Sequence, residues 1–203
     1  MTRAAGRARA LRRAGGYTLI EVLASMAVLG TGLLGIIALQ GAAVTANQRA
    51  QELTTATNIA RRWQERLRRD SYQWTAPSQE NPITNIGNTW YLRPLATAAG
   101  TDWMLPTQPG GLVAALESPA ADYWGNDVAL GSPNTYYCTH IRLTRLIVNE
   151  LVRAEVRVWW FRQGGVRPAD YGNCGQSVVT TMGTDTTNVR WVYLAQAITR
   201  HMQ

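Results

Sequence analysis

Hydrophobic and polar positions divide the chain into three patterns. Residues 22–39, VLASMAVLGTGLLGIIAL, form eighteen consecutive positions without a charge, the length of a membrane-spanning helix rather than of a short buried one. Beyond them Leu53, Ala56, Ala60, Trp63 and Leu67 recur three and four apart, which draws one apolar stripe along an amphipathic helix. No turn signal separates the two, so Tyr17 to about Arg69 reads as a single helix of roughly 80 Å at 1.5 Å per residue. The third pattern has period two: Val152, Ala154, Val156, Val158 and Trp160 alternate with Arg153, Glu155, Arg157 and Trp159, as in a half-buried strand. Residues 140–148 pair with this strand as a hairpin across Asn149-Glu150, residues 189–198 add a third antiparallel strand, and residues 178–182 a fourth. The expected fold class is α+β: a long helix packed on a small antiparallel sheet.

Charge orients the apolar segment. All twenty basic residues are arginine, and Arg3, Arg7, Arg9, Arg12 and Arg13 lie in the first sixteen positions with no acid beside them. By the positive-inside tendency the amino terminus stays in the cytoplasm and the remainder is exported. These five account for most of the formal charge of +7, leaving +2, so the basic balance says little about nucleic acid and none is expected as a partner. A secretory signal peptide is the rival reading, with Ala42-Ala43-Val44 imitating a cleavage site. Its apolar core is usually only about 7 to 15 residues long and ends in a break that this chain lacks.

Arg12-Arg13-Ala14-Gly15-Gly16 followed by Tyr17-Thr18-Leu19-Ile20-Glu21-Val22-Leu23 resembles the class III leader junction of type IV pilins and of the pseudopilins of type II secretion. The resemblance implies that a prepilin peptidase cuts after Gly16 on the cytoplasmic side and methylates the new terminal amine of Tyr17, where the family usually has Phe. Residues 32–40 and Ala60-Arg61-Arg62-Trp63 resemble the PilV-type minor pilins most closely. The likeness covers roughly the first 70 residues. It implies four regions: a leader at 1–16, a transmembrane helix at 17–40, an amphipathic helix at 41–70 and an exported α+β head at 71–203.

Glu21 is the one acid at the threshold of the apolar run. An ionised carboxylate within the membrane costs on the order of 3 kcal/mol by insertion scales and is rarely kept without a partner. The resemblance implies that Glu21 meets the terminal amine of an adjoining subunit; the alternative is that it snorkels to the interface. Ala27, Thr31 and Gly35 repeat every four residues, a stripe that admits a neighbouring helix. Gly30, Gly32 and Gly35 equally loosen the helix.

Composition shifts after Arg69, with seven of the eight prolines between Ser71 and Pro133 and Trp74, Trp90, Trp103 and Trp124 among them. The aromatics mark a folded, loop-rich region. Arg61, Arg62, Arg66, Arg68 and Arg69 read as a solvated helix face. Cys138 and Cys174 are the sole cysteines, and an even pair in an exported domain points to a disulfide that ties the region before the first hairpin strand to the loop after the second. The DYWGND stretch at 122–127 reads as a polar turn, with Ca²⁺ as the alternative reading, since it lacks the ligand spacing of a calcium loop. Asp102 and Glu117 read as ordinary loop acids.

Chemistry is sparse. The absence of lysine removes phosphate-loop and Schiff-base mechanisms, and two histidines outside any known motif give hydrolase readings little support. No cofactor and no enzymatic activity are expected. The expected function is that of a minor type IV pilin, anchored once in the inner membrane with its head in the periplasm and then carried to the surface. Its implied partners are prepilin peptidase, other minor pilins, the major pilin and a tip adhesin. A type II secretion pseudopilin and a tip-displayed module binding a surface, glycan or DNA are the alternatives.

Overall fold

The computed structural model describes residues 16–76, 85–107, 117–162, 167–175 and 187–200. Arg3, Arg7, Arg9, Arg12 and Arg13, the strand expected at 178–182 and His201 lie outside them. The chain resolves into two compact units, Met1–Gln48 and Arg49–Gln203.

In the first unit the described residues from Leu19 onward belong to helix α1, Leu19–Asp70. No proline interrupts it, and its leucine, isoleucine and valine side chains lie on the surface. One window of this helix is long and apolar enough to cross a membrane. Its hydroxyls are satisfied from within: Ser25 donates to the Glu21 carbonyl at 2.7 Å and Thr31 to the Val28 carbonyl at 2.9 Å. Between Leu19 and Leu39 no polar side-chain group other than Glu21 therefore demands water, which is what a hydrocarbon surrounding requires.

The second unit is an α+β body. Within α1 its buried face is Glu52, Ala56, Ile59, Ala60, Trp63, Leu67 and Asp70, again spaced three and four apart. The expected stripe is corrected at its first position: Leu53 is 51 % exposed and the neighbouring Glu52 turns inward instead. The sheet comprises β1 Ala120–Ala121, β2 Asp127–Val128, β3 Tyr137–Ile147, β4 Leu151–Phe161 and β5 Val189–Thr199. Its strands are antiparallel in the order β2-β1-β3-β4-β5. The β3–β4 hairpin closes through Asn149, whose φ of 57° is one that asparagine tolerates well.

The sheet is covered on one face by α1 and on the other at its Cys138 end. Val152, Ala154, Val156, Val158 and Trp160 of β4 share one core with the α1 face. On the other face Trp159, Phe161 and Val189 pack with Cys138, Cys174 and Tyr171 in a second core. Trp159, expected on the polar side of a half-buried strand, is thus fully buried, because the loop carrying Tyr171 and Cys174 folds over that end. The Cys138–Cys174 disulfide is formed. Cys138 lies inside β3 rather than before it, since β1 pairs alongside and extends the strand to Tyr137.

Loops are anchored to the helix by charge. Asp70, at the end of α1, accepts the backbone N–H groups of Trp90, Tyr91 and Leu92 at 2.7, 2.8 and 3.1 Å. Burial nevertheless outweighs these three bonds and raises its carboxyl above the ordinary aspartate value. Arg66 pairs with Asp127, Arg62 donates to the Gly125 carbonyl, and Arg69 meets Glu117 at 2.7 Å. Part of the arginine face is therefore fastened to the loop between residues 117 and 127 and not simply solvated. Gly125 permits this approach: its φ is +86° and a Cβ there would lie 2.9 Å from the Thr55 methyl.

Candidate processing and assembly site

Residues 16–18 precede the helix and have no regular structure, so the Gly16–Tyr17 peptide bond is exposed at a helix entrance. Tyr17 is 82 % exposed. The Thr18 carbonyl accepts the N–H groups of Glu21 at 3.1 Å and Val22 at 3.3 Å, which starts the helix. Thr18 and Glu21 have the Thr-x-x-Glu spacing of a helix start, a signal legible in the sequence that the apolar pattern alone passes over.

Glu21 lies in the first turn of α1. There the unpaired backbone N–H groups present a partial positive charge, worth about 0.3 to 1 kcal/mol to an anion. Among the described residues its carboxylate has no hydrogen-bonding or ion-pairing side-chain partner. Beside it Ala24, Ser25, Val28 and Leu29 form a shallow, open apolar groove. Gly30, Gly32, Gly35 and Gly41 have nothing within 4 Å of where a Cβ would stand, so this helix surface is open to close approach by another helix.

Most of the candidate polar residues of the second unit are committed to structure. His140 Nε2 donates to the Cys174 carbonyl at 2.8 Å while its Nδ1 accepts the Trp159 indole N–H at 3.0 Å. Both ring nitrogens are occupied, and burial lowers the imidazole pKa to about 4. Glu155 is held by Arg142 at 2.6 and 3.0 Å, by Arg153 and by the Tyr193 hydroxyl. The Arg142 guanidinium keeps its carboxyl below the ordinary glutamate value. In the 122–127 turn, Asp122 accepts Asn126 N at 2.8 Å and Nδ2 at 3.1 Å, while Asp127 is taken by Arg66. Glu117 also accepts the Tyr91 hydroxyl at 2.6 Å, so it is a link between helix and loop. Among the described residues no three His, Cys, Asp or Glu side chains gather where a metal ion could be held.

Residues 11–37 match the prokaryotic N-terminal methylation motif, which spans Gly16, Tyr17, Glu21 and most of the apolar run. This prepilin-type motif implies handling by a prepilin peptidase and assembly with other pilins. It favours a structural part over an enzymatic one. No curated protein and no solved structure matches the chain.

Proposed function

We propose that the chain is a minor type IV pilin of the PilV-like kind, whose amino-terminal helix joins other minor pilins and the major pilin to start or cap a pilus. The observation that carries this reading is Glu21: an acid without a side-chain partner in the first helical turn, four positions past the Gly16–Tyr17 bond and at the head of an uncovered apolar helix. Helix-terminus attraction of at most about 1 kcal/mol does not offset a membrane cost on the order of 3 kcal/mol. A cation must supply the difference. Cleavage after Gly16 creates one, the Tyr17 amine, and a charge pair at about 4 Å is worth roughly 4 kcal/mol at an effective dielectric near 20, before desolvation. When the amine belongs to the next subunit, assembly relieves what the isolated helix suffers.

The test is Glu21→Val, which removes the charge and leaves insertion easier. The variant is expected in membranes at normal level and absent from sheared filaments; its normal incorporation would contradict the pairing. Deletion of the protein should cost surface fibres, whereas lost enzyme export with intact fibres would reassign it to type II secretion.

A further inference from the structure

The sheet face turned away from α1 stays open along β5. Register sets its rows: Cys138, Trp159 and Trp191 lie side by side, then His140, Arg157 and Tyr193, then Arg142, Glu155 and Ala195. Trp103 lies over the middle rows, its ring centroid 4.3 Å from the Arg157 guanidinium and 5.0 Å from that of Arg142, and its ring meets Tyr193 edge-on at 6.1 Å. Arg142 and Arg153 are both spent on Glu155, which the Tyr193 hydroxyl also reaches. The Tyr193 ring is thereby tethered across the sheet towards β4. Arg157 is the exception: its Nε and Nη2 are buried and, among the described residues, have no acceptor. Burial and the Arg142 charge both lower its pKa, yet a guanidinium keeps its proton in a protein, and His140 opposite it has both ring nitrogens occupied. Beside this cation β5 shows only uncharged positions on the same face: Trp191 and Tyr193, 45 % and 42 % exposed, then the exposed Ala195, Ala197 and Thr199.

We infer that this face binds an acidic saccharide, with the carboxylate of a uronic acid at Arg157 and the sugar rings laid across Tyr193 and Trp191. Arg157 is only partly buried, so a carboxylate can reach its charge from the solvent side, and a guanidinium is the group that best matches a carboxylate's geometry. Trp191 and Tyr193 stand two residues apart on one strand face, about 7 Å along it, and present aromatic surface to the C–H faces of successive sugar rings without any further ionised group. The sparse charge decides against nucleic acid. A nucleic acid carries a phosphate on every nucleotide and is held by an array of cations, whereas two of the three guanidinium groups on this face are already taken by Glu155. A saccharide with a carboxylate only on some of its rings fits one open cation flanked by aromatic and alanine surface. All of these residues belong to the second unit, so the site goes beyond the assembly role and stands whether or not the chain is built into a fibre.

The full chain in detergent micelles is titrated calorimetrically with a hyaluronan hexasaccharide and with its carboxyl-reduced counterpart, which keeps the rings and loses the charge. The acidic sugar should bind about tenfold more tightly than the reduced one. Arg157→Gln should bring the two to parity, while Arg157→Lys keeps part of the preference. Trp191→Ala, at an exposed position away from the guanidinium, should weaken both sugars alike by about fivefold; it tests the rings even if the Arg157 variants fail to fold. Equal affinity for the two sugars in the parent chain, binding of neither, a preference that survives Arg157→Gln, or an unchanged affinity in Trp191→Ala would each overturn the site. Complete displacement of the sugar by an equal concentration of polyglutamate or of a single-stranded oligonucleotide would assign the face to an acidic peptide or to nucleic acid and overturn the saccharide.

Discussion

Glu52 accepts the Trp160 indole N–H at 3.1 Å and the Tyr136 hydroxyl at 2.7 Å, so a buried acid of the helix is held by two aromatic donors of the sheet. The Tyr137 hydroxyl adds a longer bond to the Glu52 carbonyl at 3.3 Å. Burial and the neighbouring carboxylate both raise the Tyr136 hydroxyl above the ordinary tyrosine value, so it stays a donor. Removing the acid leaves two buried donors without an acceptor. Glu52→Ala should cost about 2 to 4 kcal/mol, read from urea unfolding of the oxidised protein. Leu53→Gln, one residue along, should change stability by less than about 0.5 kcal/mol. Equal costs at the two positions would mean that the helix presents a different face.

That pair also marks where the sequence runs out. Period and spacing locate α1, the β3–β4 hairpin and β5, because each is long enough for its apolar positions to repeat. They choose Leu53 over Glu52 because hydropathy ranks the side chains and cannot register two aromatic donors from a distant strand. β1 and β2 are two residues each, too short to show any alternation, and their pairing depends on β3 and on the helix arginines. Trp159 reads as a polar-side residue until the disulfide loop is placed over it. At the amino terminus the reverse holds: Gly16, Tyr17 and Glu21 are legible as a motif, while the open groove beside Glu21 needs coordinates.

Acid should loosen the head through His140. Its Nδ1 must stay unprotonated to accept from Trp159, and burial lowers its pKa to about 4, against 6.5 for the ordinary imidazole. Between these values the unfolded chain holds the extra proton and the native state does not. Stability is therefore full above pH 6.5 and falls as pH drops towards 4, by up to about 3 kcal/mol. Asp70 acts in the opposite sense at the acidic end, since its raised carboxyl takes up a proton sooner in the native state than in the unfolded chain. Urea midpoints of the parent and His140→Gln measured across this range should differ in slope, with the variant flatter; parallel curves would remove His140 from the acid response.

The disulfide closes 36 residues of sequence. In the chain-entropy model such a loop contributes about 4 kcal/mol, less when the unfolded head is compact. Cys138→Ser with Cys174→Ser should lower the unfolding midpoint markedly and abolish its sensitivity to reductant. The loop with Tyr171 should loosen first, since Tyr171 donates to the Tyr136 carbonyl from a segment that the bridge pins to β3. Hydrogen exchange at residues 171–175 reads this directly, and unchanged protection there would show that packing alone holds the loop.

The account turns on trimming of the chain between Gly16 and Tyr17, which supplies the cation that Glu21 lacks. Mass spectrometry of the native protein recovered from cell membranes tests it most directly. The expected result is an amino terminus at Tyr17 bearing one added methyl group. A mature chain that begins downstream of Leu39, or one that keeps Met1 while built into fibres, would contradict it.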